Sequence, residues 1–418
     1  MRTAARIFLL LTGILLLAHY LPAGYWLIAA RPQRPPFVFY SCVEQRFLLF
    51  RSGNGEVRRT DPAGNIYERE DFERLLPLDN YQQLYKDGRM PREINGVAVT
   101  PEKLRRDRVN LRLKAVALDS PSVALYPLIE SASGRVRLEM PGDVMRLSAD
   151  LEFLDVKRNT ILADKTARFR QAFTTAGFVF PATVVGGNPS TLKPYDEGYF
   201  ITDATGGIFH LRQEQGEPVL VKISDVVPAD ERARWTALKP RHIHVQEQGN
   251  REIRALIVES NGPAYLVIGP DYRLVTLPLQ NYDPSTMNLS VRGDMLNRLV
   301  TVSSDVYVEA VALNRDYSFA DRYIETATPV RDRPAGRLAR ALFPFTLDFE
   351  DDNSGFLGFH IKSGSHVAWW INSILLLAHA AWLLARKQLH LARWPDMAAV
   401  ALGGVYGFLL ALLLPRTG

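Results

Sequence analysis

The chain has 418 residues, 47% of them hydrophobic and 23% charged, with 28 Gly, 26 Pro and a single Cys. That size holds one large domain or two ordinary ones, and the composition excludes a disordered or fibrous chain. One cysteine excludes a disulfide scaffold and any CxxC metal or redox site.

The formal charge of +5 is unevenly placed. Setting aside the residues near the two apolar ends leaves 44 basic and 44 acidic side chains between residues 31 and 366. Such a neutral body lacks the basic footprint that DNA or RNA requires, so nucleic acid is not an expected partner.

Residues 7–30 run for 24 positions without a charge, enough to cross a hydrocarbon core of about 30 Å. Arg2 and Arg6 precede them as in a secretory signal, but no small-residue cleavage box follows, which favours a retained anchor. Residues 367–385 form a second span, with Trp369 and Trp370 at the level of an interfacial aromatic belt. Residues 397–414 form a third, at the short end of the range. The loop between the last two, residues 386–393, carries Arg386, Lys387 and Arg393. The positive-inside rule makes that loop and the N-terminus cytoplasmic, and places both residues 31–366 and the C-terminus outside. His19 and His379 lie within spans and are expected as neutral imidazoles hydrogen-bonded between helices.

After a stiff Pro-rich spacer at residues 31–36, short apolar runs alternate with turn residues. Strands are expected at 37–40, 47–50, 149–155, 159–169, 199–202, 208–211, 253–258, 264–268, 272–277, 299–302 and 307–313. The dipeptide Asp271-Tyr272 recurs as Asp316-Tyr317, 45 residues later, which matches the period of a propeller blade. The fold expected is mainly β, an incomplete or degenerate β-propeller or else a β-sandwich or irregular stacked sheets, with three transmembrane helices. Residues 71–110 interrupt it as a helical insertion: Tyr81, Leu84 and Tyr85 have helical spacing, Gly88 is a stop, and Thr100-Pro101 is a start. The expected domains are thus an anchor at 1–30, an extracytoplasmic body at 31–366 and a membrane hairpin at 367–414.

Chemistry-bearing motifs are sparse. His242 and His244 alternate on an expected strand and share a face, so they could contribute two ligands to Zn or Cu. Nothing nearby completes the set, and a half-exposed polar face is the plainer reading. Residues 186–198 form the most polar loop, and Asn188, Lys193, Tyr195, Asp196 and Glu197 are its candidate partner-binding residues. Gly186-Gly187 lacks the spacing and the following lysine of a phosphate loop. Adjacent Asp196 and Glu197 point apart in extended chain, which is poor geometry for a glycosidase pair. Cys42 has no recognisable His partner and no Gly-x-Ser-x-Gly elbow is present, so neither catalytic residues nor cofactors are expected.

The stretches LYPLIESASGRVRLEMPGD (125–143), GNPSTLKPYDEGYFITD (187–203) and LFPFTLDFEDDNSG (342–355) resemble those of a bacterial family of unknown function. The resemblance implies an extracytoplasmic β-rich body held by terminal helices, found beside the ATPase and permease of ABC-type systems. It assigns no residue a role. The expected function is therefore a non-catalytic accessory subunit of an inner-membrane complex. An extracytoplasmic ligand-binding sensor is the alternative, and a tethered hydrolase of envelope polymers a more distant one.

Overall fold

The computed structural model describes residues 2–29, 35–53, 56–119, 123–349, 359–390 and 393–414. Most of the Pro-rich spacer, half of the turn at 52–55 and part of the loop at 386–393 fall outside these residues. The chain divides into two compact units. Unit 1 comprises Met1–Arg34, Gly53–Glu56 and Thr326–Gly418, and unit 2 comprises Pro35–Ser52 and Val57–Glu325.

Unit 2 is built from small antiparallel sheets that mostly run as meanders. Sheet A holds Phe37–Ser41, Arg46–Gly53 and Glu56–Thr60. Sheet B holds Leu125–Tyr126, Asp143–Leu147, Leu151–Asp155 and Thr160–Ile161. Sheet C follows with Val184–Gly187, Tyr199–Thr202, Ile208–Glu214 and Glu217–Lys222, and sheet D with Pro240–Val245, Ile253–Glu259, Ala264–Ile268 and Arg273–Thr276. Sheet E takes Asn288–Gly293, Asn297–Ser303, Tyr307–Asn314 and Phe319–Thr326, and adds Val109–Leu113 beside its first strand.

Sheets C, D and E are apolar on both faces, because alternate residues point to opposite sides and both sets are buried. In sheet C, Tyr199, Ile201 and Leu211 pack with Met145 and Phe153 of sheet B. Phe200 and Ile208, on the other parity, pack with Ile257 and Val267 of sheet D. Sheet D repeats the pattern, sending Leu256 and Leu266 against Val300 and Val311 of sheet E. Sheet E in turn sends Leu299, Ala310 and Ala312 against Val38, Phe47 and Leu49 of sheet A. The sheets are therefore stacked face to face in the order B, C, D, E, A.

Two sequence expectations need correction here. Residues 159–169 are a strand only at Thr160–Ile161; a helix, Ala163–Thr175, follows and buries Phe169 and Phe173 between sheets B and C. Its apolar positions four apart also satisfy helical spacing, which the strand reading overlooked. The insertion at 71–110 is helical at Arg69–Leu75, Tyr81–Lys86 and Pro101–Arg106, but ends in the strand Val109–Leu113. Its expected start holds: Thr100 accepts a hydrogen bond from the Lys103 N–H at 3.3 Å, with Pro101 in the first turn.

Unit 1 contains two helices long and apolar enough to cross a membrane, Thr3–Ile28 and His366–Ala385. The expected third span is not one helix. It is split into Trp394–Gly403 and Val405–Leu413 at Gly404, whose φ is +53°. The second half doubles back on the first. Asn372 donates to the Ala401 carbonyl at 3.4 Å and lies against Gly404, whereas His379, two turns further along its helix, lies beside Phe408. Gly407 meets the Ala399 carbonyl and Leu410 meets Gly13. A ten-residue half-helix rises about 15 Å, roughly half a hydrocarbon core.

At one end of this bundle Arg6 pairs with Asp396 at 2.9 Å, and Arg393 approaches the same carboxylate at 3.6 Å. At the other end Tyr25 donates to the Ala335 carbonyl at 2.8 Å, and Tyr406 to the Phe345 carbonyl at 2.6 Å. His19 lies 3.1 Å from the Leu347 carbonyl, so its partner is a backbone group rather than another helix.

A Cβ at Gly407 would stand 1.9 Å from the Ala399 carbonyl, whereas one at Gly24 would meet nothing within 4 Å. Gly407→Ala is expected to cost about 1–3 kcal/mol and lower the melting temperature of the detergent-solubilised protein. Gly24→Ala is expected to leave that temperature unchanged or slightly raised.

Candidate functional site

The polar loop singled out in the sequence is folded inward. The Lys193 side chain is 3% exposed and donates to Asp196 at 2.6 Å, to Glu247 at 2.7 Å and to the Asn188 carbonyl at 2.6 Å. The Glu247 carboxylate also accepts from the Asn188 amide and from the Glu197 backbone N–H, each at 2.7 Å. Tyr195 is buried under the guanidinium of Arg251, 4.2 Å from its ring centre. The five candidate binding residues therefore come together, as a buried clasp between sheets C and D. Gly186 and Gly187 serve the same junction: a Cβ on either would collide with the Ile243 carbonyl or the Tyr199 ring, so close approach of strands explains the pair.

Next to this clasp lies a motif that occurs twice. Glu197, two residues before the second strand of sheet C, is bound by Arg254 of sheet D, whose guanidinium lies 5.0 Å from the ring centre of Tyr272. Glu252, immediately before the second strand of sheet D, is bound by Arg298 of sheet E through contacts of 2.7 and 3.0 Å. That guanidinium lies 5.8 Å from the Tyr317 ring centre. Tyr272 and Tyr317 are the tyrosines of the 45-residue repeat, and both adopt positive φ in the turn before the fourth strand. Each hydroxyl reaches the preceding sheet, Tyr272 to His210 Nδ1 at 2.8 Å and Tyr317 to Glu252 at 2.5 Å.

His210 is fully enclosed. Its Nε2 lies 2.6 Å from the Glu197 carbonyl, which can only accept, so Nε2 carries the proton and Nδ1 accepts from Tyr272. Burial pushes its pKa down to about 3, keeping the ring neutral. Burial likewise raises Glu197 and Glu247, although Arg254 and Lys193 oppose the shift.

His242 and His244 do share a strand, and burial lowers both, His242 to about 4. No group of three or more His, Cys, Asp or Glu able to hold a metal occurs among the described residues. Cys42 is buried among Ile94, Val99, Leu104 and Met295, and burial with two nearby aspartates pushes its thiol up to about 12. Such a thiol is no nucleophile near neutral pH.

Two of the hollows on unit 2 are lined by arginines. One, of about 590 Å³, is lined by Arg106, Arg273 and Arg315, and each already has a partner in Asp107, the Asp316 carbonyl or Glu252. The other, about 190 Å³, lies where Val109–Leu113 pairs with Asn288–Gly293. Val109, Leu111 and Val291 face the core, so Arg112 and Arg292 share the opposite face. Arg292 donates to the Val38 carbonyl at 2.6 Å and stands 3.9 Å from Asp79. Arg108 and Arg112, which line the same hollow, make no hydrogen bond or ion pair among the described residues. Sequence reasoning missed these arginines because they come from segments about 180 residues apart.

Apolar helices and a body of stacked, clasped antiparallel sheets define a β-rich, multi-sheet protein with membrane-length helices. The chain belongs to the family described as a domain of unknown function, DUF4857, which matches residues 37–313. No curated protein matches it. Among solved structures it is similar to PorZ, described as an essential bacterial surface component of the type-IX secretion system of Porphyromonas gingivalis. The two are 10% identical, with a TM-score of 0.22, over 72% of this chain and 33% of PorZ. This chain thus spans about a third of that one, and the likeness carries no argument.

Arg298 is 0% exposed and its partner Glu252 17%. Arg298→Ala is expected to cost about 3 kcal/mol in denaturant unfolding, because it leaves a largely buried carboxylate with only the Tyr317 hydroxyl and a 3.4 Å contact from Arg315. Arg135→Ala, at an exposed pair with Glu139, is expected to change stability by less than about 1 kcal/mol. His210 has a folded pKa of about 3, below the ordinary imidazole value near 6.5. Its contribution is therefore complete above pH 6.5 and lost as pH falls toward 3. His210→Leu is expected to lower stability at pH 7.5 yet flatten the fall in melting temperature between pH 6.5 and 4.

Proposed function

We propose that this chain is a non-catalytic, membrane-anchored binding subunit of a bacterial inner-membrane complex, with unit 2 held outside the cytoplasm. The observation that carries this reading is the Arg6–Asp396–Arg393 cluster, which gathers the start of the first helix and the basic loop at one end of the bundle. Positive-inside placement then makes that end cytoplasmic. The chain leaves the first helix beyond Tyr25 and returns at Ala335, and these two residues meet at the opposite end. The half-depth hairpin supplies no third crossing, so Leu413 belongs on the cytoplasmic side with the loop, which revises the placement of the C-terminus expected from sequence.

Unit 2 reads as a degenerate propeller, with sheets B, C, D, E and A as successive blades. Both faces of sheets C, D and E are covered by neighbours, and the first strands of C and D approach closely at Gly186 and Ile243. An ABC-type permease and ATPase as partners rest on the family resemblance alone.

Alkaline phosphatase inserted after Glu325 is expected to be active, and a green fluorescent protein fused after Leu414 is expected to fluoresce. An inactive phosphatase at the first site, or phosphatase activity at the second, contradicts the placement. Purification in mild detergent is expected to bring down polytopic and ATP-binding subunits. Recovery as a lone chain under several mild detergents contradicts the accessory role.

A further inference from the structure

We propose that the hollow beside Val109–Leu113 and Asn288–Gly293 binds a small multivalent oxyanion, through phosphoryl or carboxylate groups, by way of Arg108, Arg112 and Arg292. This rests on reading unit 2 as a binding body and names what that body takes. Three guanidiniums line the hollow, against two carboxylates. One of these, Asp294, is committed to its own turn, accepting from the Leu296 and Asn297 N–H groups at 2.7 and 2.9 Å. The other, Asp79, comes no closer than 3.9 Å to Arg292. The cations therefore outnumber the anions, and Arg108 and Arg112 are left without acceptors among the described residues.

Arg108 and Arg112 are exposed at the hollow, whereas Arg292 is partly buried. Arg112 pairs across the strands with Ser290, and Arg292 with Asn110, so the two arginines are diagonal neighbours on one sheet face. Like charges so placed repel. Burial lowers the pKa of Arg292 and the charge of Arg112 adds to that shift, with Asp79 opposing it. Leu78, Leu104 and Leu299 form apolar wall beside these charges. Low-dielectric walls concentrate the field inside a cleft, and guanidinium forks match the oxygens of phosphate and carboxylate.

Size sets the ligand class. A volume of about 190 Å³ is below the range of about 300–1,000 Å³ that holds drug-sized molecules. An ion the size of pyrophosphate or citrate fits within it. The larger hollow lacks this signature, because each of its arginines is already partnered.

The test titrates the detergent-solubilised full chain with sodium pyrophosphate and, separately, sodium citrate, at ionic strength held constant with sodium chloride. At least one anion is expected to raise the melting temperature saturably, and the better of the two identifies the phosphoryl or carboxylate preference. Arg108→Gln/Arg112→Gln is expected to weaken that binding at least tenfold with the ligand-free melting temperature unchanged, since neither side chain makes a hydrogen bond. Arg135→Gln is expected to bind as the unaltered chain does. No shift beyond sodium chloride with either anion overturns the proposal, as does an equal shift in the double variant. Both results leave the accessory role standing, because copurification tests that separately.

Discussion

An antiparallel sheet with apolar residues on both faces has no stable existence alone, since each exposed face leaves several large side chains in water. Sheets C, D and E are of this kind, and each is buried by the sheet before it and the sheet after, with Phe169, Phe173 and Trp235 from helices adding to the cores. Apolar contact supplies most of the attraction but says little about register. The Glu–Arg–Tyr clasp adds direction: a glutamate entering the second strand of one sheet, an arginine on the second strand of the next, and a tyrosine held in a left-handed turn of the arginine's own sheet. Geometry is demanding because the charges are desolvated, so a slipped sheet would strand an ion at a cost of several kcal/mol.

Hairpins were legible because period-two alternation bounded by Gly, Asn and Asp is a local signal. The strands Tyr199–Thr202 and Ala264–Ile268 fall where the pattern places them. The Asp-Tyr repeat was legible as a period, although its meaning was not. Only the structure shows that Tyr272 and Tyr317 each reach the preceding sheet. Glu217–Lys222 was missed because Pro218 lies near its start and Val219, Leu220 and Val221 run together, and Asn288–Gly293 because only Leu289 and Val291 mark its alternation. The third apolar segment misled for a different reason. Hydropathy records how greasy a stretch is, not whether the chain turns within it, and this one breaks at Gly404.

The candidate site shows the same limit more sharply. A stretch rich in Asn, Lys, Asp and Glu reads as a solvent-facing loop, yet Lys193, Asp196 and Glu247 satisfy one another out of water. Glu247 lies 54 residues from Lys193, so no local rule connects them. Conversely, the basic run from Lys103 to Lys114 reads as ordinary helix surface, and only pairing with Asn288–Gly293 sets Arg112 beside Arg292. Charges that look free in the sequence are buried, while others with no signature line a hollow unpartnered.

The central claim, that ionic clasps between sheets hold the body in register, is tested most directly by a double-mutant cycle on Arg298 and Glu252. Unfolding free energies of Arg298→Met, Glu252→Gln and the double variant give their coupling. A coupling of about 2 kcal/mol or more, with the double variant more stable than the worse single one, is what the account predicts. Additive losses with a coupling below about 0.5 kcal/mol would show that the sheets are held by apolar contact alone and contradict it.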